Sequence, residues 1–146
     1  MKKLTVILTV VLLVALTLVL GVDAAKPKDF YLEKVLNPGC GTLVPFAIQE
    51  AIEPFTYLNG VCIDYLGPVV ETPPGRFFVS SNVLIDVGEG TSISGHFVFN
   101  GKTGTGMFTL GQGTGALEGF HAVGEMTQID DMVFALEGTY HFAPYE

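Results

Sequence analysis

From Ser92 to Phe142 the chain alternates apolar or glycine residues with polar ones, and turn signals cut the pattern at intervals. Alternation with period two marks strands that bury one face. In the first segment Ile93, Gly95, Phe97 and Phe99 share one side, and Ser92, Ser94, His96 and Val98 share the other. Asn100-Gly101 follows, a dipeptide suited to the positive φ angles of a type I′ turn. A two-residue turn there predicts Phe99 opposite Lys102, Phe97 opposite Gly104, Gly95 opposite Gly106 and Ile93 opposite Phe108. A slip of one residue would place Phe97 beside Thr103 or Thr105, on the polar face.

Two further turns assign the same face. Gly88-Glu89-Gly90, read as a three-residue loop, predicts Val87 opposite Thr91, Ile85 opposite Ile93 and Val83 opposite Gly95. In the last pair of strands, a turn centred on Asp130 predicts Met126 opposite Phe134, Gly124 opposite Leu136, Ala122 opposite Gly138 and Phe120 opposite Tyr140. The buried face therefore alternates bulky side chains with glycine. Such a sheet coils strongly, and a coiled antiparallel meander closes most easily into a barrel. The fold class expected is all-β, a single closed antiparallel β-barrel.

Signals elsewhere are weaker. Asp29–Leu36 reads as a first strand or an edge segment, and Pro45 to Pro54 as irregular chain or one helical turn. Val61–Leu66 alternates like a strand. Arg76–Ser80 and Val83–Val87 are two strands, or one strand with a break near Ser81-Asn82. The glycines of residues 111–119 call for a tight bend or a bulge. A glycine-rich loop that cradles phosphate needs a helix after it, whereas a strand follows here.

Lys2 and Lys3 precede an uncharged apolar run of 19 residues, Leu4 to Val22. Small residues at Val22 and Ala24 predict a signal peptide over residues 1–24, cleaved after Ala24 or, as a second choice, Ala25. The same run is long enough to be an uncleaved membrane anchor. Both readings export residues 25–146, to the outside or the cell envelope. Cys40 and Cys62 lie in that exported part, where an oxidising compartment favours a disulfide over two free thiols. The net charge of −8 argues against nucleic acid and anionic membrane surfaces as partners.

Residues Thr103 to Phe142 resemble the allene oxide cyclase and dirigent superfamily. The resemblance rests on MFTL (107–110), GQGTG (111–115), Leu117-Glu118-Gly119, FHAVGEM (120–126) and FALEGTYHF (134–142). Gln112 stands where the family usually has glycine, and Leu117 where it has phenylalanine. The resemblance implies an antiparallel barrel of about eight strands, a trimeric assembly, no cofactor, and a small apolar or phenolic guest. The shared motif is a structural turn, so it transfers no catalytic residue.

If the apolar face points inward, Phe97, Gly106, Phe108, Met126, Leu136 and Tyr140 are the residues expected to meet an interior ligand. His121, Glu125 and Glu137 share the opposite face. Three such groups can bind a metal or serve as acid and base, yet a barrel's solvated exterior needs polar residues at the same places. The expectation is outward placement and no metal. Asp64 and Asp86 stand among apolar strands, where an outward carboxylate is commoner than an interior one. Three functions fit these readings: binding of a small apolar molecule, a cyclase-like or dirigent-like isomerase acting on a reactive guest, or an envelope module with a filled core.

Overall fold

Strand is the rule wherever the period-two pattern runs. The structure, a computed structural model, describes residues 26–41, 44–67, 69–72 and 76–143. The apolar run of residues 4–22 and the cleavage position expected after it lie outside the described residues. The strands are β1 (Lys28–Leu36), β2 (Phe46–Ala51), β3 (Cys62–Tyr65), β4 (Val69–Thr72), β5 (Arg76–Gly88), β6 (Thr91–Asn100), β7 (Thr105–Thr114), β8 (Phe120–Asp130) and β9 (Val133–Phe142). Short 3₁₀ turns at Thr56–Leu58 and Gly115–Leu117 are the helical segments among the described residues. No helix among them is long and apolar enough to cross a membrane.

Neighbouring strands run β3-β2-β1-β9-β8-β7-β6-β5, and β3 pairs back onto β5, so the sheet closes on itself with antiparallel pairing throughout. β3 and β4 lie end to end along β5 in one register, with Tyr65 opposite Val83 and Val69 opposite Val79. They form one barrel strand with an interruption, which is how nine segments make an eight-stranded barrel. Leu66 N–H donates to Asn82 O (2.8 Å) at the interruption, and Gly67 N–H donates to the Oγ of buried Ser81 (3.0 Å).

One face of the sheet points into the barrel and forms its core. Phe30, Phe55, Phe108, Phe120 and Tyr140 pack together at one end, edge-on or tilted except for the stacked pair Phe120–Tyr140, with ring centroids 4.8 to 6.5 Å apart. Inward glycines let the strands approach there. A Cβ on Gly124 would meet Glu137 O at 2.1 Å, and one on Gly138, its direct partner, would meet Val123 O at 2.0 Å. The Cys40–Cys62 disulfide, with Cα atoms 5.6 Å apart, ties the β1–β2 loop to the start of β3. Such bridges persist in oxidising compartments.

Several expectations are corrected. Pro45 to Pro54 contains strand β2, whose Phe46, Ala47 and Ile48 are all buried, so the alternation that marks a strand is absent. β1 is flanked by β2 and β9 and is not an edge. β5 is continuous through Ser81-Asn82.

The turn at Asn100 has four residues between the strands, with Asn100 opposite Thr105. Asn100 ends β6, its carbonyl accepts from Gly104 N–H (2.9 Å) and its Oδ1 from Lys102 N–H (2.9 Å). The positive φ of 70° falls on Gly104, not on Asn100 or Gly101. Gly101 is needed for close approach instead, since a Cβ there would meet the Phe77 ring at 2.8 Å. Phe97 consequently faces Phe108, Gly95 faces Leu110 and Phe99 faces Gly106.

The last hairpin pairs Met126 with Leu136, Gly124 with Gly138, Ala122 with Tyr140 and Phe120 with Phe142. Its turn is Asp131-Met132, with Met132 at φ 54° and a bulge between Gln128 and Asp130. At the β5–β6 turn, Ile85–Ile93 and Val83–Gly95 are paired as expected, but Gly88, not Val87, meets Thr91 across a bulge.

Candidate functional site

The end of the barrel opposite the five-ring cluster is not filled. A cavity of about 300 Å³ lies there. It is lined by Phe77 and Val79 of β5, Phe97 and Phe99 of β6, Met126, Met132 and Phe134 around the β8–β9 hairpin, and Lys34, Val44, Phe46 and Tyr65. A concave apolar site with a few placed polar groups is the usual form of a small-molecule pocket. Here the polar groups of the lining are the Lys34 amine and the Tyr65 phenol.

Lys34 reaches this position by strand periodicity. Phe30, Leu32 and Lys34 point the same way along β1, and the first two are core residues. Lys34 is only 4% exposed. Its Nζ donates a 2.5 Å hydrogen bond to Tyr65 Oη. It also sits 4.6 Å from the ring centroid of Phe46, 4.9 Å from those of Phe97 and Phe134, and 5.2 Å from that of Tyr65.

Burial pushes the Lys34 amine down from 10.5 to about 7, with no acidic neighbour among the described residues to offset it. The four ring faces act in the opposite sense, because each attracts the ammonium form. Burial also pushes the Tyr65 phenol up, so it stays protonated across the physiological range. The site thus holds an amine that changes charge near neutral pH beside a phenol that does not.

The residues expected to face a ligand are divided by this geometry. Phe97 and Met126 line the cavity. Phe108, Leu136 and Tyr140 are buried in the interior outside that lining. At Gly106 a Cβ would meet Val98 O at 2.0 Å, so the backbone of β6 occupies the space. Lys34 and Tyr65 escaped the sequence reading. The available signal was a lysine in register with Phe30 and Leu32.

His121, Glu125 and Glu137 are all exposed on the outer face. His121 stacks on His141 across the β8–β9 ladder at 5.4 Å, and Glu125 stands directly opposite Glu137. No cluster of three or more His, Cys, Asp or Glu able to hold a metal occurs among the described residues. His96 faces Asn82 and Thr109, and its ring nitrogens meet Asn82 Oδ1 (2.9 Å) and Ser80 Oγ (3.2 Å). Asp86 is exposed and accepts from Gly88 N–H (2.9 Å), while Asp64 is half-buried.

Compared with known family models, curated proteins and solved structures, the chain matches none of them.

Proposed function

We propose that the protein is an exported barrel that binds a small apolar molecule in the open-end cavity, with the polar end of the guest at Lys34 and Tyr65. The observation that carries this reading is the cavity itself: aromatic and aliphatic walls around one amine and one phenol. Apolar walls supply affinity, and the two polar groups orient the guest. The Cys40–Cys62 bridge and the Lys2-Lys3 leader pattern support export. The resemblance of residues 103–142 to the allene oxide cyclase and dirigent superfamily points the same way, as fold analogy only. The trimer that this resemblance implies belongs to the same proposal, and light scattering reads it.

The test is titration of the mature protein with an uncharged, environment-sensitive fluorophore, with octanol as competitor. Saturable binding that octanol displaces is expected. A folded protein that binds neither, and that carries no apolar guest in native mass spectra after purification from its host, overturns the reading. The isomerase alternative requires the bound guest to be transformed, and product analysis separates it from simple binding. The filled-core alternative accounts for the end packed by Phe55 and Phe120 but leaves the cavity unexplained.

A further inference from the structure

A lysine inside a barrel is costly unless its charge is paired or absent. Among the described residues Lys34 has no carboxylate partner. Its hydrogen-bond acceptor is the neutral Tyr65 phenol, and its other neighbours are ring faces. The other titratable group lining the cavity is Tyr65 itself. This is the setting in which a lysine amine is a nucleophile at neutral pH, desolvated in an apolar pocket.

We propose that Lys34 is a covalent capture site, whose Nζ condenses with the carbonyl carbon of a small apolar aldehyde lodged in the cavity to form an imine. The proposal rests on the ligand-binding reading above and specifies its guest. An aldehyde fits better than an apolar acid. A carboxylate would have to leave water and pair with the ammonium in an apolar cavity, where desolvation of both charges offsets their attraction. A neutral carbonyl carries no such cost, and its tail meets Phe97, Phe99, Met126 and Phe134.

The step balances without an oxidant or a reductant. The Nζ lone pair adds to the carbonyl carbon, and the C=O π pair moves to oxygen. That oxygen takes the Tyr65 phenol proton while one N–H proton passes to the phenol oxygen, giving a neutral carbinolamine. The nitrogen lone pair then forms C=N as the hydroxyl leaves, protonated by Tyr65, as water. The remaining N–H proton returns to the phenol. The net change is aldehyde plus amine to imine plus water, with Tyr65 unchanged. The 2.5 Å approach of Nζ to Tyr65 Oη places the relay within hydrogen-bond reach of the reacting nitrogen. Burial brings the amine down to about 7, which leaves a share of it at neutral pH as the free base that addition needs.

The experiment treats the mature, disulfide-bonded protein with octanal at pH 7, traps imines with cyanoborohydride and maps the products by peptide mass spectrometry. Exposed Lys28 and Lys102 serve as internal references. Lys34 is expected to gain one octyl group at least tenfold faster than either, with octanol slowing Lys34 alone. The absolute rate at Lys34 should fall below pH 6 as its amine protonates, and its advantage should shrink at alkaline pH, where the exposed amines also lose their protons. Tyr65→Phe should slow capture per bound guest at least tenfold, with occupancy of the cavity read by the fluorophore in the same variant. Lys34→Met should lose the fast product and leave the reference lysines unchanged. Equal labelling of Lys34, Lys28 and Lys102, in a protein that binds octanol and the fluorophore, overturns the proposal and leaves the binding reading standing. So does tighter binding of octanoate than of octanal with no trapped product. Failure to bind either neutral probe overturns both readings.

Discussion

Lys34 and Tyr65 meet head to head inside the barrel, the amine of β1 donating to the phenol oxygen of β3 at 2.5 Å. The two strands are not neighbours, since β2 lies between them. The contact therefore spans the short β2–β3 seam, which pairs Phe46 with Ile63 and Ala47 with Cys62. It joins the polar end of the cavity to the part of the barrel that the disulfide also ties.

The buried amine makes stability depend on pH. Lys34 sits near 7 in the folded protein against 10.5 when solvated, so between these values the unfolded chain binds more protons. Its contribution to stability therefore rises with pH across that window, and the destabilising cost is fully present below it. Lys34→Met removes the charge and keeps most of the volume. It should stabilise the fold at pH 6 by roughly 1–4 kcal/mol, as replacement of buried charges often does. The gain should shrink by pH 9. Urea unfolding at the two pH values measures both. Equal destabilisation at both would mean that the cation–π contacts outweigh burial.

Gly106→Ala probes the glycine face. A single methyl would collide with Val98 O at 2.0 Å and Phe99 Cα at 2.8 Å. Backbone must move, so a loss of about 1–3 kcal/mol or more is expected from overpacking. Gly106→Phe should be worse, because the obstacle is the Cβ and not only the ring. Gly41→Ala is the control, because a methyl there would have nothing within 4 Å among the described residues, and its expected change is within about ±0.5 kcal/mol. Thermal unfolding of the variants decides it.

The faces of the barrel were legible because strand periodicity survives errors in turns. The Asn100 turn moves the partner of Phe97 from Gly104 to Phe108, and the last turn moves that of Met126 from Phe134 to Leu136. Both displacements are even, so no side chain changes face. Turn length was misread because Asn100-Gly101 serves the close approach to Phe77 rather than two positive φ angles. β2 was illegible because three successive residues are buried, which removes the alternation. Lys34 was legible only to a reader willing to place lysine on a core face, against the general preference of charged groups for water.

The outer face carries a like-charge pair that can be relieved. Glu125 and Glu137 are directly opposite on β8 and β9, and both are exposed. Like charges directly opposite each other destabilise a ladder. Glu137→Lys should stabilise by roughly 0.2–1 kcal/mol at low salt, with the gain falling as salt screens the pair. His121→Ala, on the same exposed face, should change stability by no more than about 0.5 kcal/mol. Denaturant midpoints at two salt concentrations check both. A His121→Ala protein that unfolds would place that face in the core.

The disulfide should matter to the cavity as well as to the fold. It closes a 22-residue separation, which on a chain-entropy basis contributes about 3 kcal/mol. Cys62 is also the first residue of β3, in register with Ala47 on the short seam, and Tyr65 ends the same strand. Freeing Cys62 removes the covalent tie that holds β3, and with it Tyr65, against the β1–β2 side. Cys40→Ala/Cys62→Ala should therefore lose about 2–4 kcal/mol and bind the uncharged fluorophore at least tenfold more weakly at a temperature where the variant is still folded. Circular dichroism verifies the fold and the fluorophore titration reads the cavity. Unchanged affinity in the folded variant would show that the seam holds β3 without its covalent tie.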